Sequence, residues 1–217
     1  SWAAAANAYD RGVDGFGICS GMWAPNGWPW LSDEYQTLRL LGHPDMLATA
    51  DKTYRARSQA SGQGHTMALF PIGGPVLPRD LVEGEPLEVP LQIADHLAHW
   101  HELGRVKAVK LGVRLSTFEP GLNEVRIELN GRLLPDHILR MIDLHFRVIK
   151  PGAIGPYGYL FEYLLTPEFY PQPGEKKVNI TLVKQDPKLK SSVGVYDVDC
   201  SIDYLLHRHF EQEPIEY

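Results

Sequence analysis

The chain has 217 residues, 44% of them hydrophobic and 22% charged, with a formal charge of -6. Such a composition supports one large or two modest cored domains and excludes global disorder, while the negative balance disfavours a nucleic-acid surface, which needs clustered Lys and Arg. No apolar run reaches the roughly 20 residues that cross a bilayer, so no membrane span is expected, and Ser1-Trp2 does not open a basic signal-peptide region.

Ala3 to Ala8 reads as a helix, with Trp2, Ala5, Ala6 and Tyr9 on one side, ending where Gly12 can take the left-handed C′ conformation. Val13 to Cys19 is a short, nearly continuous apolar run of the kind found in parallel strands covered on both faces. A loop from Ser20 to Leu31 then sets Trp23, Trp28 and Trp30 among glycines and prolines. Ser32 can cap a further helix through Leu41, and another is expected from Asp45 to about Arg57. Ser58 to Gly64 is polar and aperiodic, which fits a linker and divides the chain into 1–60 and 61–217.

Beyond the linker the period becomes two. Strands are expected at Met67–Phe70, Leu87–Ile93, Val106–Leu115, Val125–Leu129, Leu144–Ile149, Tyr159–Leu165, Lys177–Val183 and Val193–Tyr204, with a helical crossing between Ile93 and Leu103. Pro90 places its strand at an edge or beside a bulge, and Asn130-Gly131 favours a type I′ turn. In the last strand, Tyr196, Val198, Cys200, Ile202 and Tyr204 form the expected core face, opposite Asp197, Asp199, Ser201 and Asp203. About eight strands without long intervening helices make a two-sheet sandwich the expected architecture of this region.

Few residues carry an obvious chemistry. Tryptophans after a parallel strand would sit at the mouth of a barrel, where Trp23, Trp28 and Trp30 could stack on a sugar ring and Asn26 and Ser20 could add directional hydrogen bonds. The competing reading has these rings sealing one domain against the other. Asp14, Asp33 and Glu34 are better explained as turn or helix-end residues, and no carboxyl pair can be placed across a scissile bond. The nine histidines include the pairs His96/His99 and His207/His209, neither with a third ligand in convincing context. Asp197, Asp199 and Asp203 form an acidic stripe without an EF-hand pattern, and no metal or cofactor is expected. Cys19 and Cys200 read as two separate buried thiols. Asn179-Ile180-Thr181 matches a glycosylation acceptor but lies in strand-like sequence.

The segment Asn7 to Phe16, with its Gly-Asp-Gly corner, resembles the closing part of glycoside-hydrolase-like β/α barrels. Leu38 to Pro44 is similar to the terminal barrel helix and its exit, and Leu122 to Gly131 to the accessory sandwich that follows some such barrels. This resemblance implies a combined α/β plus all-β fold. Residues 1–60 would be the last elements of a TIM-like barrel and 61–217 a jelly-roll-like β-sandwich with a terminal tail. A complete barrel takes about 250 residues, so the rest of it would be an N-terminal portion of the same parent protein. The implied function is the C-terminal part of a carbohydrate-active glycoside hydrolase, contributing Trp23, Trp28, Trp30 and Asn26 to an oligosaccharide or polysaccharide pocket. The catalytic carboxylates would lie upstream, leaving this chain inactive alone, and a secreted or periplasmic location would follow. The alternative is a non-catalytic carbohydrate-binding or structural interaction module.

Overall fold

The computed structural model describes residues 2–15, 40–56, 76–144, 148–150, 153–154 and 158–205. Its first element is α1 (Trp2–Asp10), which buries Ala3 and Ala5 and stops at Gly12, whose φ of 87° suits a residue without Cβ. Leu40–Gly42 forms a 3₁₀ turn and α2 (Pro44–Leu47) a single helical turn. Asn7 Nδ2 donates to the Gln92 carbonyl at 3.0 Å, and the Tyr9 hydroxyl donates to the Leu41 carbonyl at 2.6 Å. These two bonds tie α1 both to the sheets and to the turn before α2.

The helix expected over Asp45–Arg57 gives way after Leu47 to β1 (Lys52–Arg55). Lys52, Tyr54 and Ala56 turn inward while Thr53 and Arg55 face out, a period of two that backbone pairing stabilises over helix propensity. Next come β2 (Arg79–Asp80), β3 (Pro86–Ile93), α3 (Leu97–Glu102), β4 (Val106–Ser116), β5 (Asn123–Leu129) and β6 (Arg132–Leu133). The chain continues through β7 (Leu139–Asp143), the small pair β8 (Val148–Lys150) and β9 (Ala153–Ile154), then β10 (Gly158–Leu164), β11 (Gly174–Gln185) and β12 (Gly194–Tyr204).

One sheet has the order β1-β12-β4-β10-β7, with β2 also on β12; the other runs β3-β11-β5-β6. Val109, Leu111, Val113 and Leu115 of β4, with Val198, Cys200 and Ile202 of β12, share one core with Val89, Leu91 and Ile93 of β3 and Val178, Ile180 and Leu182 of β11. Each fully buried aliphatic side chain contributes on the order of 1.5–3 kcal/mol. Asn130 and Gly131 have φ of 51° and 76°, the positive pair that a type I′ turn between β5 and β6 requires. Pro90 stands in β3, which is an edge strand opposite β11. A register shift between Val195 and Asp197 turns Val195 into the core as well and leaves Tyr196 only half-buried, against the strict alternation expected there.

The expected fold class is corrected by these ladders. Every pairing between named strands is antiparallel, whereas a TIM-like barrel is made of parallel strands joined through helices. The layers also stay open, with β7 and β1 as margins of one and β3 and β6 of the other, so they neither close nor curl into a jelly roll. The described chain is a mixed α/β structure with open antiparallel sheets and three short helices. Val13 to Gly15 is exposed and irregular, and the rest of the run expected to be a parallel strand, like the helix from Ser32 and the strand at Met67–Phe70, lies outside the described residues. Of the strand expected at Leu144–Ile149, Leu144 lies just past the end of β7 at Asp143, Val148 and Ile149 belong to β8, and 145–147 lie outside the described residues.

Among the described residues, an ion pair joins the layers. Lys52 Nζ of β1 lies 3.0 Å from Asp95 Oδ1 at the exit of β3, with both side chains almost wholly buried. The same ammonium donates to the carbonyls of Leu47 at 2.6 Å and Ala48 at 3.1 Å and sits 5.1 Å from the centre of the Tyr204 ring. Burial pushes the Asp95 carboxyl up and the Lys52 ammonium down, and each charge partly reverses the effect on its partner. Lys52→Met is therefore expected to cost about 3–5 kcal/mol, because it strands a buried carboxylate. Lys52→Met with Asp95→Leu should recover most of that loss in urea denaturation, and a double variant no more stable than the single one would refute the pair's role.

Candidate functional site

The outer face of the six-stranded sheet carries a polar groove of about 280 Å³. Alternation in β12 sends Val198, Cys200 and Ile202 inward, so Asp199, Ser201 and Asp203 must project the other way. Register then assembles a row across five strands: Arg55, Asp199, Gly112, Glu162 and Arg140 stand side by side from β1 to β7. At its centre is the residue without a side chain. A Cβ on Gly112 would come within 2.9 Å of Asp199 Oδ1 and 3.5 Å of Leu160 Cδ1, so the Asp199 carboxylate lies over the space that glycine leaves. Asp199 and Glu162 spring from strands about 10 Å apart, with this slot between them.

The neighbouring row gives the groove its other wall. Lys110 Nζ contacts Asp203 Oδ2 at 3.3 Å, and the hydroxyls of Thr53 and Ser201 are 3.0 Å apart. Asp51 closes one end, its Oδ1 accepting from the Tyr204 backbone N–H at 2.7 Å. Arg55 reaches Asp199 only loosely, at 4.0 Å and from a largely exposed position. Arg114 lies over the Tyr196 ring at 5.0 Å. Along the groove the carboxylates of Asp51, Glu162, Asp199 and Asp203 stand with two lysines, Lys110 and the inward-turned Lys52, while Arg55 and Arg140 close the ends of the row. The result is a negative recess on a rigid sheet face.

Burial, and next the charge of Asp197, push the Asp199 carboxyl up to about 6; Arg55 opposes this and Glu162 adds to it. The acidic stripe of β12 is legible in the sequence, but its partners are not. Glu162, Lys110 and Gly112 lie on other strands, and the interior glycine of β4 is the local signal that could have marked the slot.

Trp23, Trp28, Trp30 and Asn26, the residues expected to line a sugar pocket, lie outside the described residues, as do Ser20, Cys19, His207 and His209. Cys200 is buried, and burial raises its thiol well above the usual range. His99 and His101 pack edge-on to Trp100 and Tyr170, and among the described residues no three His, Cys, Asp or Glu side chains converge as metal ligands.

No known family model and no curated protein matches the sequence. With open antiparallel sheets in place of a barrel, the glycoside-hydrolase reading is corrected. No barrel mouth is present among the described strands to hold a sugar, and no catalytic cluster marks these residues as an enzyme fragment.

The raised Asp199 pKa has a testable sign. An unfolded aspartate ionises near 4, so the folded state loses stability as pH rises from about 4 to about 6, and the whole cost is present above 6. Asp199→Asn should therefore stabilise the protein at pH 7.5 by on the order of 2 kcal/mol and match the parent near pH 3.5. Urea titrations at the two pH values measure this; equal effects at both would contradict it.

Proposed function

We propose that the outer face of the six-stranded sheet binds a cationic group, an ammonium or guanidinium carried on an extended polar partner. The observation that supports this is the Asp199-Gly112-Glu162 row, in which two carboxylates flank one glycine and the Asp199 carboxylate leans over it on the wall of the groove. A cation entering the groove meets the carboxylates of Asp199 and Glu162, and Ser201, Thr53 and Asp51 offer further oxygen atoms along it. The chain's charge of -6 favours the approach of such a partner at low ionic strength. Because Asp199 becomes protonated around pH 6, attraction is strong above that value and falls below it.

A labelled Lys-Gly repeat peptide followed by fluorescence anisotropy tests this function. Saturable binding is expected at pH 7.5 in low salt, with about tenfold weaker affinity at pH 5. Gly112→Ala, whose Cβ pushes the Asp199 carboxylate aside, and Glu162→Gln should each weaken binding several-fold. Glu175→Gln, an equal change of charge at an exposed position of β11 on the other sheet, should not. Equal losses from all three variants would mean diffuse attraction to an acidic protein and would overturn the site.

A further inference from the structure

β7 is a margin of the six-stranded sheet, and its pairing with β10 shows which of its backbone groups are spare. The Leu144 N–H donates to the Gly158 carbonyl at 3.0 Å, and the register then runs through Asp143/Tyr159 without a shift. Hydrogen-bonded pairs alternate along an antiparallel ladder, so Ile142/Leu160 and Arg140/Glu162 are the next two. Residues of the other parity in β10 serve its far side, where the Leu165 N–H donates to the Val109 carbonyl at 2.8 Å. Met141 therefore aims both its amide and its carbonyl off the sheet. Leu139 does the same with its carbonyl, while its N–H is held by the Asp136 carbonyl. Among the described residues no backbone group meets the Met141 pair.

The other margins are closed by recognisable means. α1 packs along β1 and β3, where Asn7 holds the Gln92 carbonyl, and β6 has only two residues. β7 has five, three of them exposed. Met141 is 49% exposed and lies on the same face as its buried neighbour Phe161. Arg140 lies on the outer face beside Glu162 and is exposed as well.

We infer that β7 takes an extended peptide as an added antiparallel strand, one that sets a carboxylate opposite Arg140 and an aliphatic side chain opposite Met141. Charge complementarity across the new pair and cover for Met141 select the sequence, and the spare main-chain groups supply the register. A second copy of this chain fits poorly. Two-fold antiparallel pairing of β7 sets residues of equal parity opposite each other, so Arg140 would never face the partner's Asp143. The inference does not rest on the cation-binding reading of the groove, whose glycine stands on β4, beyond β10.

NMR titration and amide hydrogen exchange on the whole chain with the peptide Thr-Thr-Val-Glu-Val-Thr-Thr test this; the peptide carries no lysine, so the groove has no cation to hold. Saturable binding is expected at roughly submillimolar concentration, with exchange of the Met141 amide slowed about tenfold and that of Ile142, already bonded to β10, little changed. N-methylation of the valine before the glutamate should abolish binding, and Gln in place of Glu should weaken it several-fold. Arg140→Glu, checked by its unfolding midpoint, should reverse the preference between the Glu and Gln peptides, while Gly112→Ala should leave binding unchanged. No saturable binding, an unslowed Met141 amide, or an Arg140→Glu protein that still prefers the Glu peptide would overturn the proposal. So would a dimer in sedimentation that the peptide dissociates, since a second copy would then be the occupant. Loss of lysine-peptide binding at the groove with these results intact would count against the outer-face function alone.

Discussion

The contact between Lys52 and Asp95 is the constraint on which the rest of the arrangement depends. Lys52 belongs to the six-stranded layer and Asp95 follows an edge strand of the other, while the carbonyls of Leu47 and Ala48 bring the helical turn to the same ammonium. An ion pair this deep carries a large desolvation cost and is a poor source of net stability. Its value lies in uniqueness: a shifted register of β1 would expose the ammonium, bury Thr53 in its place and leave Asp95 without its cation. The polar groove approaches this pair from one side and a largely apolar cleft between α1, α2 and the start of α3 from another, since Lys52 borders the first and Asp95 the second.

The two recesses obtain their charge in different ways. On the sheet face, carboxylates gather because alternate residues of β12 must point away from the core, and a glycine across the register gives them space. Near α3, a single carboxyl is drawn inward by a lysine that must itself be satisfied. In the first case partial burial, and after it repulsion from Asp197, hold a proton up to about pH 6; in the second, desolvation competes with one strong neighbour.

Period-two patterning made β3, β4, β5, β10, β11 and β12 legible, because one face of each is filled mainly with aliphatic side chains or, in β10, with Phe161 and Tyr163. The Asn130-Gly131 turn and the glycine stop of α1 were equally local. What escaped is non-local. Lys52-Thr-Tyr-Arg has no apolar alternation on its face value, and becomes a strand only because Asp95 accepts its buried lysine and β12 its backbone. The bulge beside Tyr196 likewise depends on how β12 meets β4. The short glycine-rich likeness near Val13 pointed to a parallel strand, yet Val13 to Gly15 is exposed and irregular. Of the groove, the aspartates could be read along one strand, but their opposition to Glu162 exists only in the cross-strand register.

Pro90 gives the β3 margin a further property. A proline within an edge strand interrupts the row of amide donors that an incoming extended chain would need for continuous pairing. Two molecules meeting along that border would find their template broken in the middle, so fibrillar growth from this side is discouraged by a single ring nitrogen that has no hydrogen to give.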